Sequence, residues 1–323
     1  LYHRLGSKME IRDREWAPPD GSDPIAGYEL VHETARIIVL PSYGGKIASL
    51  VHLPSEKEWL WLNPHLRWRP PSRDASFVRE HDVGGWDECF PTIAPTTVGG
   101  IQWPDHGDLW WRAWKAEVRD GSLWMGVEGE GFRFERVIAS STSGFRLSYA
   151  VENLAPEPLP YLWCAHPLLC IDPPLRVEIL GRPTMRLGDD GPLGQRGQAY
   201  RWPTVGGRLF EMIGKPSGLA AKLFVEMVEG QVSLCDTKGA RLRLRWPLRR
   251  VPMLGLWINE GGWSGAAVPP YHNVGVEPAS GAPDDLAIAL RQWDCAQTLP
   301  GGERHTWWLE VKLTREDNDS DRR

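Results

Sequence analysis

Four polar stretches interrupt an apolar, aromatic chain: GGWDECFPTIAP (84–95), DHGDLWWRAW (105–114), WCAHPLL (163–169) and GVEPASGAPDDL (275–286). They carry carboxylates and imidazoles, whose reference pKa values of ~4.3 for Glu and ~6.5 for His suit them to proton transfer near neutral pH. Asp87 and Glu88 sit among aromatic residues, with prolines following at 91 and 95, and no helical or strand period fits this dozen. His106 precedes Gly107, which permits a tight backbone at a loop end. His166 lies in an apolar strand-like run before Pro167, where a lone histidine is commonly a hydrogen-bonded core residue. Glu277 falls at a strand end before Pro278, where a carboxylate is costly unless partnered.

These types allow several chemistries. A carboxylate can accept two sugar hydroxyls at once, and the flat apolar face of an indole suits a sugar ring. Asp87 or Glu88 could therefore form a sugar-binding wall with Trp86, or one acid could pair with Arg79 or Arg112 and pin the loop. Glycoside hydrolysis needs two carboxylates ~5–5.5 or ~6.5–9.5 Å apart; Glu277 with Asp87 or Glu88 qualifies by type. His81, Asp82, Asp105 and His106 supply metal-ligand types without an HExxH or similar spacing, so no metal is expected. Cys89 has no histidine beside it in sequence and reads as a packed thiol.

The elements that must position these groups read as strands. YELVHET and ARIIVLP pair, and KIASLVHL follows the Gly44-Gly45 turn signal. SLWMGVEGE, FRFERVIAS, FRLSYAVEN and YLWCAHPLLCI come next, with STSG as a hairpin turn between the second and third. KLFVEMVEG, QVSLCD and ARLRLRW continue, with TKG as another turn, and RHTWWLEVKLT closes the series. Arg241, Arg243 and Arg245 alternate with Leu242, Leu244 and Trp246, giving one buried and one basic face. That basic face reads as a solvated strand face, with an anion site as the other possibility. Stretches 63–112 and 181–218 resist strand assignment, and long irregular loops are commonly functional. Many strands, short turns and no long helical period predict a large antiparallel β-sandwich. One domain is expected over residues 24–314, with a loose arm at 1–23 and a charged tail at 315–323.

Bulk composition narrows the classes. A chain of 323 residues with 41% hydrophobic content is long enough to bury roughly three quarters of its unfolded surface. A net charge of −5, from 37 basic and 42 acidic residues, argues against a nucleic-acid partner. The five cysteines are scattered, without a CxxC pair, which predicts reduced thiols and a cytoplasmic protein. No apolar run reaches the ~20 residues of a membrane helix, and no secretory apolar region opens the chain, so no membrane partner is expected. Of the 18 tryptophans, most are assigned to the core and two or three to a ligand.

In order along the chain, GGKIASL, CFPTIAP, DHG with the following Arg112 and Trp114, AHP and GVEP resemble the aldose 1-epimerase (galactose mutarotase-like) family. No single motif is specific, but five in this order are, and they span about residue 44 to residue 286. The resemblance implies a β-supersandwich, a monosaccharide or sugar-derivative substrate, interconversion of its α and β anomers, and no cofactor. By the same resemblance His106 binds substrate near the anomeric centre, His166 is the general acid on the ring oxygen, and Glu277 is the general base on the anomeric hydroxyl. The acid must be held protonated, and Asp87, Glu88, Asp105 and Asp108 are candidates to do so. Arg112 orients a neighbouring carboxylate or reaches the sugar. The better-known galactose- and glucose-type members carry an Asn-Arg pair where this chain has Trp86-Asp87-Glu88, and the nearest upstream arginine is Arg79. Trp86, Asp87 and Glu88, with Arg79 and Arg112, are therefore the expected sugar-selecting set. Two other readings are a non-catalytic carbohydrate sensor on the same fold and a glycoside hydrolase or lyase.

Overall fold

Alternation along the strands sorts side chains between two faces, and the architecture follows from it. In Ala220–Glu226, residues Ala221, Leu223 and Val225 enter the main core, while Lys222 and Phe224 face the other way. In Met253–Glu260, residues Leu254, Leu256 and Ile258 enter that core, and Met253, Gly255 and Trp257 take the opposite face. The structure is a computed structural model and describes residues 9–142, 144–265 and 267–315.

Two large sheets result. The first has 14 strands; its middle runs, neighbour by neighbour, Lys46–His52, Trp86–Cys89, Cys164–Cys170, His272–Ala279, Met253–Glu260 and Ala220–Glu226. The second has 9 strands, with Arg304–Arg315 between Ala240–Arg245 and Gly144–Asn153. All pairings between the strands of the two sheets are antiparallel, and the inner faces meet directly: Ile37, Ile47, Leu50 and Trp86 pack against Phe145, Leu147 and Val311. The fold is thus the large antiparallel β-sandwich expected. Phe132–Ser141 pairs with Gly144–Asn153 where STSG reads as a turn, Ser143 of that stretch lying outside the described residues, and the TKG turn joins Gln231–Asp236 to Ala240–Arg245. Leu242, Leu244 and Trp246 are buried. The facing arginines lie beside carboxylates, Arg241 at 2.6 Å from Glu178 and Arg245 at 3.8 Å from Glu310. No helix among the described residues is long and apolar enough to cross a membrane. All five cysteines are free.

Three sequence expectations change. Trp86–Cys89, read as loop, is a strand paired with Cys164–Cys170, with Asp87 opposite His166. Both of its faces are buried, so the polar–apolar alternation of a half-exposed strand is missing. The polar stretch Glu10–Trp16, read as part of a loose arm, is an edge strand in continuous register with Ile25–His32. An edge strand needs no apolar face beyond its anchor Trp16, and its charges discourage further pairing; residues 1–8 lie outside the described residues. Residues 181–218 hold several short strands, including Thr184–Leu187 and Ala199–Arg201, that extend the larger sheet. The last strand ends at Arg315, and 316–323 lie outside the described residues.

Candidate active site

Strand register brings His166 and Glu277 together. Cys164 pairs with Ala279 and Leu168 with Gly275, so positions 166 and 277 fall midway between two paired positions, on the face turned away from the sandwich core. His166 Nε2 lies 3.6 Å from Glu277 Oε1. Gly255 sits opposite Glu277 on the next strand, where a Cβ would come within 2.7 Å of Glu277 Oε2. Glycine at this position leaves space for the carboxylate. One strand further, Lys222 donates from Nζ to Glu277 Oε2 and lies 3.3 Å from Asp284 Oδ2. Glu277 is only 1% exposed, yet its Oε1 accepts no hydrogen bond from the described residues. The lysine thus holds one oxygen of the carboxylate and leaves the other turned toward His166.

The third group arrives on a loop. His106 has a backbone φ of +61°, uncommon for a residue with a side chain. The CFPTIAP segment holds it there: Ile93 O accepts from His106 N at 2.6 Å and Phe90 O from Asp108 N at 2.6 Å. The same segment donates from Ile93 N and Ala94 N to Asp284 O, at 3.0 and 2.9 Å. Asp285 then fixes the chain beyond by accepting from Ala287 N and Ile288 N at 2.8 and 3.1 Å and from the Thr96 hydroxyl at 2.9 Å. CFPTIAP is therefore a strap joining the His106 loop to the Asp284 loop. The His106 ring stacks on Phe77 with centroids 3.7 Å apart, meets His166 edge-on at 4.9 Å, and places Nδ1 3.0 Å from Asp105 Oδ1.

These groups line a cavity of about 210 Å³. Pockets for drug-sized ligands span ~300–1,000 Å³, so this one suits a single small ring. Trp257 and Trp263, perpendicular at 5.5 Å, form part of its wall. Burial opposes charge on His106, but Asp105, by charge and hydrogen bond, outweighs it and holds the imidazole up at about 10. Burial raises Asp105, and His106 more than reverses that, leaving it low. His166 behaves oppositely: burial, reinforced by the positive charges of His106, Lys222 and Lys46, pushes it well below the ordinary histidine value. Its Nδ1 has no hydrogen-bond partner among the described residues. The expectation that nearby carboxylates keep His166 protonated is thus reversed, because His106 takes the carboxylate partner. Burial lifts Asp82 to about 6 against the pull of His106 and Lys46. Lys222, despite burial, is raised by Asp284 and Glu277.

The expected sugar-selecting residues lie elsewhere. Trp86 is 1% exposed and packed between the sheets. Glu88, on the same face, accepts from Arg136 at 2.8 Å, Tyr149 at 3.0 Å and Trp163 at 3.0 Å. Burial pushes its carboxyl up to about 7 against those partners. Asp87 faces the other side, where Lys46 donates to it at 2.5 Å and to Gly84 O at 2.7 Å. None of the three lines the cavity. Arg79 is exposed and bonded to Ser76 at 3.3 Å. Arg112 is held by Asp108 at 2.7 Å, covers the Trp111 ring and does not line the cavity. Arg112 and Trp111 border a larger groove of about 640 Å³ beside the second sheet. That groove's acids, Glu128 and Glu135, are paired with Arg133 and Arg304 at 2.8 and 2.5 Å, and no histidine lines it.

Sequence reasoning brought His106, His166 and Glu277 to attention, and the structure sets them around one cavity. It missed Lys222, Asp284 and the roles of Asp82 and Asp189 in the wall. One signal was available: Lys222 stands between Ala221 and Leu223 in an otherwise apolar strand, where a lysine must have a buried partner.

No protein-family model matches the chain. No curated protein sequence matches it significantly. Solved structures do match over nearly the whole length. A galactose mutarotase-like protein from Clostridium acetobutylicum aligns with a TM-score of 0.67 at 16% identity, covering 95% of this chain and 99% of that one. The Slr1438 protein from Synechocystis sp. PCC 6803 gives 0.67 at 14% identity, over 94% and 100%. A protein from Escherichia coli K12, provisionally described as an aldose 1-epimerase, gives 0.65 at 15% identity, over 90% and 99%. With this sheet order, this length of alignment and this sandwich core, the chain has the fold of the galactose mutarotase-like proteins.

Proposed function

We propose that the protein is an aldose 1-epimerase, interconverting the α and β anomers of a free sugar. The observation that carries this reading is Glu277: a buried carboxylate with one oxygen held by Lys222 and the other without a hydrogen bond from the described residues, 3.6 Å from an imidazole, in the wall of a one-ring cavity. Mutarotation needs a base at the anomeric hydroxyl and an acid at the ring oxygen. Glu277 Oε1 takes the hydroxyl proton as the ring C–O bond breaks, and an imidazolium gives a proton to the ring oxygen. The open aldehyde turns about C1–C2, and the two transfers reverse as the ring closes on its other face. No net proton, electron or water is consumed.

The charges favour His106 as the proton donor, since Asp105 keeps it an imidazolium, while His166 is the neutral imidazole between donor and base. This exchanges the two histidine roles that the family resemblance implied. Positioned groups of this kind typically contribute about 10²–10⁴-fold each. The shared fold of the mutarotase-like proteins supports the reading. Asp87 and Glu88, which could have paired with Glu277 in a hydrolytic centre, lie outside the cavity.

Polarimetry of freshly dissolved pure anomers, with and without the protein, tests the proposal across a panel of aldoses. Faster decay to the same final rotation is expected. Sugar binding without faster decay would make the protein a carbohydrate sensor, and release of reducing ends from oligosaccharides would make it a hydrolase.

A further inference from the structure

The cavity's charges extend this reading to the class of sugar. Five carboxylates line it: Asp82, Asp105, Asp189, Glu277 and Asp284. Among the described residues, the only lysine in the wall is Lys222, already shared by Glu277 and Asp284, and no arginine lines it. The His106 imidazolium is matched by Asp105. Asp189 is exposed at the wall.

Asp82 is the telling group. Its backbone is fixed, N–H to Phe77 O at 2.8 Å and carbonyl accepting from Asn63 Nδ2 at 2.8 Å. Its side chain is 6% exposed, yet Oδ1 accepts no hydrogen bond from the described residues. The neighbouring Lys46, which could have neutralised it, is bound to Asp87 and Gly84 O. Asp82 lines the cavity, and a buried carboxylate with an unbonded oxygen is costly unless a ligand or solvent group pairs with it.

We infer that the cavity sorts aldoses by charge, binding an amine-bearing sugar more tightly than its neutral parent and rejecting sugars that carry phosphate or carboxylate. An ammonium brings three donors and no acceptor, so it can pair with the Asp82 carboxylate and offset the excess of carboxylates together. A hydroxyl can do only the first. A phosphate finds no unpaired cation among the described wall residues and meets like charge, which disfavours association.

The inference rests on the cavity being the sugar site proposed above, and calorimetric titration of the full chain separates the two. The probes are galactose, galactosamine, N-acetylgalactosamine and galactose 6-phosphate, with the matching glucose series. The amine is expected to bind at least about tenfold more tightly than the parent and the N-acetyl form, and the phosphate at least about tenfold more weakly, as modest charge terms at a partly desolvated site would give. Phosphate binding as tight as the parent's, an amine with no advantage, or no binding of any probe would each overturn the inference. Asp82→Asn is expected to bring the amine-to-parent ratio toward one; a folded variant with an unchanged ratio overturns the part assigned to Asp82. The wild-type series decides the matter even if that variant fails to fold. Should the order hold while no anomer exchange is accelerated, charge sorting stands and the epimerase reading fails. The reverse pattern leaves the epimerase reading and removes this one.

Discussion

Glu88 marks the clearest divide between a wall that selects sugar and a core that holds the sandwich together. Both Glu88 and Arg136 are 0% exposed, their side chains 2.8 Å apart, with Tyr149 and Trp163 completing the acid's bonds. Arg136 also donates to Gly45 O and lies 5.4 Å from the Trp114 ring centroid. Above pH about 7, where the Glu88 carboxyl is ionised, Glu88→Gln keeps the shape but removes the negative charge. It also turns one acceptor into an N–H₂ group, so either Arg136 or Trp163 meets a donor in place of an acceptor. Removing one partner of a buried ion pair typically costs about 3–5 kcal/mol, because the other charge is left uncompensated. At about 2–4 °C per kcal/mol for a large domain, the melting temperature should fall by about 10 °C. The folded fraction should still bind sugar with unchanged affinity and preference, since Glu88 does not line the cavity. Thermal and urea unfolding, with sugar titration below the transition, measure both. A variant as stable as the wild type but altered in sugar choice would refute this placement of Glu88.

Other expectations follow from the centre itself. Lys222→Met leaves Glu277 and Asp284 facing each other without their shared cation. Two charges ~5 Å apart at an effective dielectric near ~20 repel by ~3 kcal/mol. Activity should fall by at least about tenfold, since ~1.4 kcal/mol is a factor of ten, and a folded variant with wild-type activity contradicts the shared-cation role. Asp105→Asn removes the carboxylate that raises His106 to about 10. The charged donor is then lost as pH rises through a lower value, so the alkaline limb should move down while wild-type activity persists toward pH 10. Gly255→Ala puts a methyl group 2.7 Å from Glu277 Oε2; a large fall in activity with little loss of sugar binding is expected, and full activity would mean that the carboxylate has room to spare.

The fold was legible because its strands announce themselves by alternation and by turns: the Phe132–Ser141 hairpin and the Ala240–Arg245 strand lie where the residues place them. Glu10–Trp16 was hidden because an edge strand exposes most of its side chains and shows no apolar period. Trp86–Cys89 was hidden for the opposite reason, since both of its faces are buried. The partners that satisfy its acids are remote in sequence: Lys46 lies 41 residues from Asp87, and Arg136 lies 48 from Glu88. His106, His166 and Glu277 could be picked out by type and order, but their charge states depend on contacts that only the folded chain makes. Asp105 sits beside His106 in sequence; that His166 Nδ1 has no hydrogen-bond partner among the described residues is a property of the packed site.

The central claim is that Glu277 accepts the anomeric proton. Saturation-transfer NMR on an equilibrated aldose measures α–β exchange directly, with the wild-type protein, with Glu277→Gln and with buffer alone. The wild type should exchange the anomers well above the buffer rate, and Glu277→Gln, folded and still binding sugar, should lose about 10²–10⁴-fold of that acceleration. Exchange at the wild-type rate in folded Glu277→Gln would contradict the assignment.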